Sequence, residues 1–390
     1  AAKQQAEAGS VFCHGPRYPL TGTGDVNTYA LFAETSLQIL HAQGRAGLVL
    51  PSGIATDDST SAFFGEISKG RIAQLIDFEK RDAIFPGVHR SYKFCLLTLG
   101  AAAEARFAFF LSNTEQLKDP RRSFTLSADD IARLNPNTRT CPVFRSRHDA
   151  ELTKKLYRSV PVLRSSGQDG NAWELKLNRI FDMGKPGDQL LAEAASSQGG
   201  DMVRMYEAKY FSAYDHRLAT FADDDRPVTE AEKADTAFLI RSRELMARAE
   251  VEARLFRNGA RAPWLIAFRD ICRATDERTA IAAVLPREAT NYTVRLAITQ
   301  LSAGHAAALL ASLNCLVLDY AARQKFGGTH LSDYITEQLP VPAPYAFSSS
   351  VMGEVVPRVL ELTYTAHDLQ PFYADVVAEN PAWDPRTGAD

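Results

Sequence analysis

The chain has 390 residues, of which 45% are hydrophobic and 23% charged, with a formal net charge of −3. These are ordinary globular values, so disordered and collagen-like classes are excluded, and at roughly 150 residues per domain the length implies two to three domains. Mean hydropathy is −0.20, and the richest apolar stretch, Ala306 to Leu318, is broken by Ser312 and Asn314. It reads as a buried core helix and not as a membrane span. The first ten residues, AAKQQAEAGS, hold no signal-like apolar core, so a cytoplasmic protein without membrane contact is the expectation. Cys13, Cys95, Cys141, Cys272 and Cys315 form neither CxxC nor CxxH, and are expected to be reduced thiols without zinc or disulfides. The slight negative charge gives no global attraction to nucleic acid, which leaves any such binding to a local patch.

In chain order, residues 26–43 place Val26, Tyr29, Ala30, Phe32, Ala33, Leu37 and Leu40 at helical spacing, with Asp25 as N-cap and Gly44 as stop. Ala46–Leu50, closed by Pro51, predicts a short buried strand. A helix over 58–69 and strands at Leu75–Phe78 and Phe94–Leu99 follow. Helix, strand, helix, strand, loop and strand make a fragment of a doubly wound sheet that ends in a hairpin. Beyond Gly100 the texture changes. Residues 115–165 carry eleven Lys/Arg against six Asp/Glu, punctuated by Pro120, Pro136, Pro142 and Pro161. Helical patterns return at 228–257 and 299–325, QLPVPAP (338–344) is extended, and a last helix spans about 350–375 in an acidic tail.

Among chemical motifs, the absences are informative: there is no GxSxG, HExxH or Walker-type phosphate loop. Gly22-Thr23-Gly24 lacks both the preceding strand and the third glycine of a dinucleotide fingerprint, and reads as a turn. Glu207-Ala208-Lys209, with Asp188 or Asp201 upstream, would be the minimum of a metal-dependent nuclease. His14, His41, His305 and His330 show no metal-ligand spacing, so no metal site is expected.

Three ordered segments carry more information: RYPLTGTGDVNTYALFAE (Arg17–Glu34), GRAGLVLPSGIATDDSTSAFF (Gly44–Phe64) and LIDFEKRDAIFPGVHRSYKFCLLTL (Leu75–Leu99). Together they resemble the second half of the catalytic domain of amino-type N6-adenine DNA methyltransferases. The similarity is to the large restriction-modification and phage-defence enzymes of the type IIG, BREX and DISARM kinds. In that family a helix with an Asn-x-Tyr start follows the catalytic motif, then a strand ending in proline, then a strand-loop before the final hairpin. NPNTRTCPVFRSRHDAE (Asn135–Glu151), YEAKYFSAYDHRLATF (Tyr206–Phe221) and WLIAFRDICRATDERTAIAAVLP (Trp264–Pro286) extend the resemblance over almost the whole chain. Separately, Leu313-Asn314, Gly327-Gly328-Thr329 and Gln338-Leu339-Pro340-Val341-Pro342 resemble the closing pattern of a target recognition domain.

The resemblance implies an α/β chain: a partial Rossmann-like methyltransferase sheet, a mixed α/β target recognition domain and a C-terminal helix. The implied domains are 1–112 as the methyltransferase part, 113–345 as the DNA-recognition part and 346–390 as helix and acidic tail. The catalytic Asn/Asp-Pro-Pro-Tyr/Phe tetrapeptide is absent, and Asn135-Pro136-Asn137-Thr138 does not replace it. The glycine-rich S-adenosylmethionine motif is missing too, so this chain alone is expected to be inactive, with cofactor and catalytic loop supplied by an N-terminal half or a partner subunit. What remains of the catalytic domain is Phe85 followed by Pro86, which the resemblance implies stack on an extruded adenine; the competing reading is a core residue capping the sheet. Asn27, Tyr29 and Pro51 are implied as supports of the catalytic loop. Expected contacts to double-stranded DNA are Arg90, Arg139, Arg145, Arg147, Lys209, His216, Arg217, Arg323 and Lys325, with His148, Tyr206, Tyr210, Phe211 and Tyr214 nearby. Two rivals stand beside this reading: a non-catalytic DNA-specificity or adaptor protein, and the Glu207/Lys209 nuclease. A helix over 26–43 packed on strand 46–50 with apolar surface left uncovered favours the split enzyme, whereas a fully covered sheet favours the adaptor.

Overall fold

The computed structural model describes residues 13–24, 26–79, 85, 92–166, 170–198, 200–273, 275–325 and 329–388. Asp25, Pro86 and Arg90 lie outside them. The fold is α/β, in two compact units, Ala1–Ser159 and Val160–Asp390.

In the first unit the helix Thr28–Ile39 is followed by β1 (Ala46–Pro51), a helix Ser61–Ile67, β2 (Ile72–Phe78), β3 (Phe94–Leu99), β4 (Ala105–Leu111) and β5 (Phe124–Leu126). The sheet order is β1-β3-β2-β4-β5. β3 runs antiparallel to both β1 and β2, and β4 is parallel to β2, so β1, β2 and β4 all end at the same edge. The expected closing hairpin is β2–β3. The first helix is shorter than its periodicity suggests: Asn27 occupies the N-cap position without a side-chain bond, and the chain leaves the helix at Leu40, before Gly44. The buried Glu34 fastens the preceding loop, accepting from Leu20 N at 3.2 Å, Thr21 N at 2.9 Å and Thr21 Oγ1 at 2.6 Å. Gly24 (φ 64°) confirms Gly22-Thr23-Gly24 as a turn.

Two expectations change in this unit. β1 is not a buried strand but the outer strand of the described sheet, with alternate residues exposed. β4, with apolar residues on both covered faces, has no alternation and so escapes periodicity. The boundary expected at 112/113 also moves, to Ser159/Val160. The reason is aromatic packing: Phe124 lies 6.0 Å from Phe107 and 6.1 Å from Phe109 of β4, and Phe144 lies 5.4 Å from Phe124. Burying such rings is a large apolar gain, and it binds residues 113–159 to the first sheet.

The second unit is built on an antiparallel sheet in the order β12-β11-β14-β6: β6 (Lys176–Asn178), β11 (Trp264–Arg269), β12 (Ala282–Pro286) and β14 (Val294–Ile298). Its two faces separate by period two. Trp264, Ile266 and Phe268 pack with helices Ala303–Leu313, Ser349–Thr363 and Gln370–Glu379. Leu265 and Ala267 face β7 (Met202–Tyr206), β10 (Leu245–Ala247), β13 (Ala289–Thr290) and helix Arg248–Arg257. β8 (Ala219–Phe221) and β9 (Asp225–Pro227) form a separate ribbon.

The helix expected over 228–257 resolves into Glu230–Ala234 and Arg248–Arg257. Between them Asp235 and Phe238 give their carbonyls to the Arg217 guanidinium instead of a helical ladder. The 299–325 pattern breaks at Asn314, where helices Ala303–Leu313 and Leu316–Lys325 meet at 59°. Asn314 is buried and bonds Ala282 twice, accepting its N–H and donating to its carbonyl, each at 2.9 Å. The proline-rich stretch is extended as expected, with Leu163 N donating to Leu339 O at 2.8 Å and Val341 N to Pro161 O at 3.0 Å. The C-terminal residues are no separate layer, because Val356, Val359, Leu360, Phe372 and Val376 belong to the unit's main core. No single helix among the described residues is long and apolar enough to cross a membrane.

Candidate functional site

The carboxyl ends of β1, β2 and β4 meet along one edge of the first sheet, with Pro51 opposite Phe94, Phe94 opposite Phe78, and Phe78 opposite Leu111. In open α/β sheets that edge is where ligands bind. Phe78 stacks on Phe94 at 5.1 Å and 8°, and Phe85 stands edge-on to Phe94 at 5.0 Å and 73°. Phe85 remains 41% exposed. Its ring thus packs edge-on against Phe94 and keeps part of its surface exposed. Pro51 is exposed at the end of β1. Asn27 is exposed, whereas Tyr29 is half-buried near Asp57 and Cys95, and burial pushes its hydroxyl pKa up.

Asp77 ties this edge together. Its buried carboxylate accepts from Ser52 Oγ, on the turn after β1, and from Phe110 N on β4 at 3.3 Å. Burial pushes the Asp77 pKa above the usual carboxylate range, against those two bonds and Lys93. A raised folded-state pKa means stability that is full below the unfolded value, about 3.9, and lost as pH rises through the folded value. In thermal melts from pH 4 upward, Asp77→Asn is expected to gain on the wild type as pH rises, whatever the offset between them at pH 4. A pH-independent difference would remove the buried charge from this account.

The expected DNA contacts separate into exposed and buried groups. Arg139, Arg145, Arg147 and His148 are exposed on the first unit, and Arg147 Nε donates to Ser123 O at 3.1 Å. In the second unit Lys209 is half-buried between Glu207 (3.1 Å) and Asp225 (2.7 Å). Arg323 bonds Asp319 at 2.8 Å, and Lys325 is partly buried, with its ammonium pKa pushed well down by burial. His216 and Arg217 are corrections: both are buried, so neither side chain faces solvent. His216 Nε2 meets Asp368 Oδ1 at 2.8 Å, and Asp368 also pairs with Arg204 at 3.3 Å. Arg217 donates to the carbonyls of Asp235, Phe238, Lys233 and Thr365 at 2.9–3.2 Å. Tyr206, Tyr210 and Phe211 are core as well.

The acids proposed to complete a nuclease site are engaged elsewhere, Asp188 with Arg254 (2.8 Å) and Asp201 with Arg248 (2.8 Å). Among the described residues no cluster of three His, Cys, Asp or Glu could hold a metal.

One cluster has no sequence signal. Asp270, fully buried beyond β11, gathers Arg179 (3.1 Å), Arg295 (3.1 Å) and His330 Nδ1 (2.8 Å), and Arg295 continues to Asp333 (2.6 Å). Arg179 and His330 remain partly exposed while their guanidinium and ring nitrogens meet the buried carboxylate. Spacing could not show this, because its members come from different strands and loops.

No family model and no curated protein matches the chain. Among solved structures it is similar to the type IIG restriction endonuclease BpuSI, with 11% identity over 98% of this chain and 52% of that one, TM-score 0.34. It is similar also to the type IIL restriction-modification enzyme MmeI in complex with DNA: 12% identity, 92% and 52% coverage, TM-score 0.39. A third similar structure is the ATP-dependent type ISP restriction-modification enzyme LlaBIII bound to DNA, at 7% identity, 85% and 27% coverage, TM-score 0.36. The chain thus spans about half the length of the first two and about a quarter of the third.

Proposed function

We propose that this chain is the C-terminal, DNA-recognition portion of a site-specific DNA N6-adenine methyltransferase serving restriction-modification or phage defence. In this reading the first unit completes a methyltransferase sheet and gives one wall of the base pocket through Phe85, and the second unit reads double-stranded DNA. The reaction is methyl transfer from S-adenosylmethionine to the adenine amino group of a specific duplex sequence.

The observation that carries the reading is the uncovered flank of the first sheet. β1 has no strand on its outer side among the described residues. Val49 on it is 61% exposed, and Phe32 and Ile39 on the adjoining helix are 71% and 77% exposed. A self-contained unit would cover that apolar flank, because contiguous exposed apolar surface marks an interaction site. Further strands of an N-terminal half or a partner subunit satisfy that need. The residues present do not fit S-adenosylmethionine. The sequences that follow β1, β2 and β4 begin with Ser52, Glu79 and Ser112, and none has the glycine-rich stretch by which the resembled family holds that cofactor. In this reading the cofactor is held by the other part.

The test is crosslinking with radiolabelled S-adenosylmethionine, on this chain and on a version extended by its upstream coding sequence. Labelling of the extended form alone, with N6-methyladenine at one sequence context, is expected. Duplex binding with no labelling of either form would leave a DNA-binding adaptor.

A further inference from the structure

The cleft where β4 leaves the first sheet holds an unusual residue. Phe110 has φ of +59°, a left-handed backbone that a bulky aromatic adopts only when its surroundings impose it. Asp77 accepts the Phe110 N–H at 3.3 Å, at the register shift of the β2–β4 pairing. The ring thus presented has the Arg145 guanidinium carbon 4.2 Å and Lys93 Nζ 5.1 Å from its centroid. It borders a cleft of about 130 Å³ lined by Glu79, Phe110, Ser112, Gln116, Arg122 and Arg145. Glu79, the acid in that lining, faces Lys93 at 3.7 Å, and neighbouring Arg121 pairs with Asp119 at 2.9 Å. Arg122 and Arg145 make no ion pair or side-chain hydrogen bond among the described residues. Two guanidinium groups without a carboxylate in ion-pair distance therefore line one small polar cleft.

We propose that this cleft binds a phosphate, and that the phosphate is a backbone phosphodiester of the DNA held by the first unit. The assignment rests on the DNA-binding reading above. Guanidinium forks match phosphate oxygens in bidentate geometry, and stacking on Phe110 holds the Arg145 fork in place before the ligand arrives. The cleft lies at the carboxyl edge of the parallel strands, the same edge that carries Phe85, so a strand presenting a base to Phe85 passes close to it. Asp77 is the positioning residue, acting through the Phe110 peptide.

The experiment measures binding of a fluorescent duplex to the full chain across a salt series, with Arg122→Gln/Arg145→Gln against the exposed control Arg257→Gln. Arg145 is exposed and Arg122 partly buried, and unfolding midpoints check that each variant folds. The double variant is expected to lose about tenfold or more in affinity at low salt, and its log–log salt slope is expected to become shallower by about one to two. Arg145→Lys, which keeps charge but loses the fork, is expected to fall between. Unchanged affinity and slope in the double variant, with wild type binding duplex, would overturn this site and leave the DNA reading standing. Competition by inorganic phosphate and by a nucleoside monophosphate separates the two phosphate sources. If those anions need the arginines while duplex does not, the site takes a small-molecule phosphate and the backbone assignment is overturned. If the wild-type chain binds none of them, both readings fall.

Discussion

Arg217→Met is expected to destabilise the second unit by about 4 kcal/mol, because four buried carbonyls lose a charged donor at once. At roughly 2–4 °C per kcal/mol, its unfolding midpoint falls by about 10 °C. Methionine keeps much of the side-chain volume, so the loss reports hydrogen bonding more than a cavity. Duplex affinity, measured well below the midpoint, stays unchanged, since no part of the guanidinium faces solvent. The residue joins Thr365, ahead of the helix Gln370–Glu379, to the Lys233–Phe238 segment. Loss of that tie should appear first as faster amide exchange there. A variant with normal stability and weakened DNA binding would reverse the account and return Arg217 to the surface role its charge suggests.

Phe85→Ala has the opposite profile. Phe85 is partly exposed, and among the described residues its ring contact is the edge-on one with Phe94, so the midpoint of the first unit moves little. Stacking of a base on an aromatic is worth about 1–3 kcal/mol, which corresponds to roughly 5- to 150-fold in methyl transfer by the extended enzyme. Phe85→Tyr, which keeps the ring, restores most of the rate. 2-Aminopurine at the target position gives a readout separate from turnover: its fluorescence in the bound duplex changes when the ring that covers it is removed. Equal rates and equal fluorescence in wild type and alanine variant would make Phe85 a cap on the sheet edge and nothing more.

These two residues differ in what their neighbours along the chain reveal. Phe85 is singled out by the resemblance of its phrase to a known family, and it packs edge-on against Phe94 with part of its ring exposed. Arg217 stands in an equally suggestive phrase, among tyrosines and beside a histidine, yet it is buried. Composition cannot separate the two cases, because an arginine satisfied by carbonyls and one awaiting a phosphate look alike in one dimension. The same holds for Asp270, whose partners Arg179, Arg295 and His330 lie far apart along the chain.

Apolar periodicity was sufficient for the class of fold, for strands at Ala46–Leu50 and Phe94–Leu99, for the closing hairpin and for a buried helical run around Ala306, though not for its break at Asn314. Those features depend on local spacing, and local spacing is written directly in the residues. The boundary after Ser159, the covered strand β4, the left-handed Phe110 and the burial of His216 and Arg217 came only with tertiary packing. Each is decided by which distant groups compete for the same carbonyl, carboxylate or aromatic face, and that competition is settled in three dimensions.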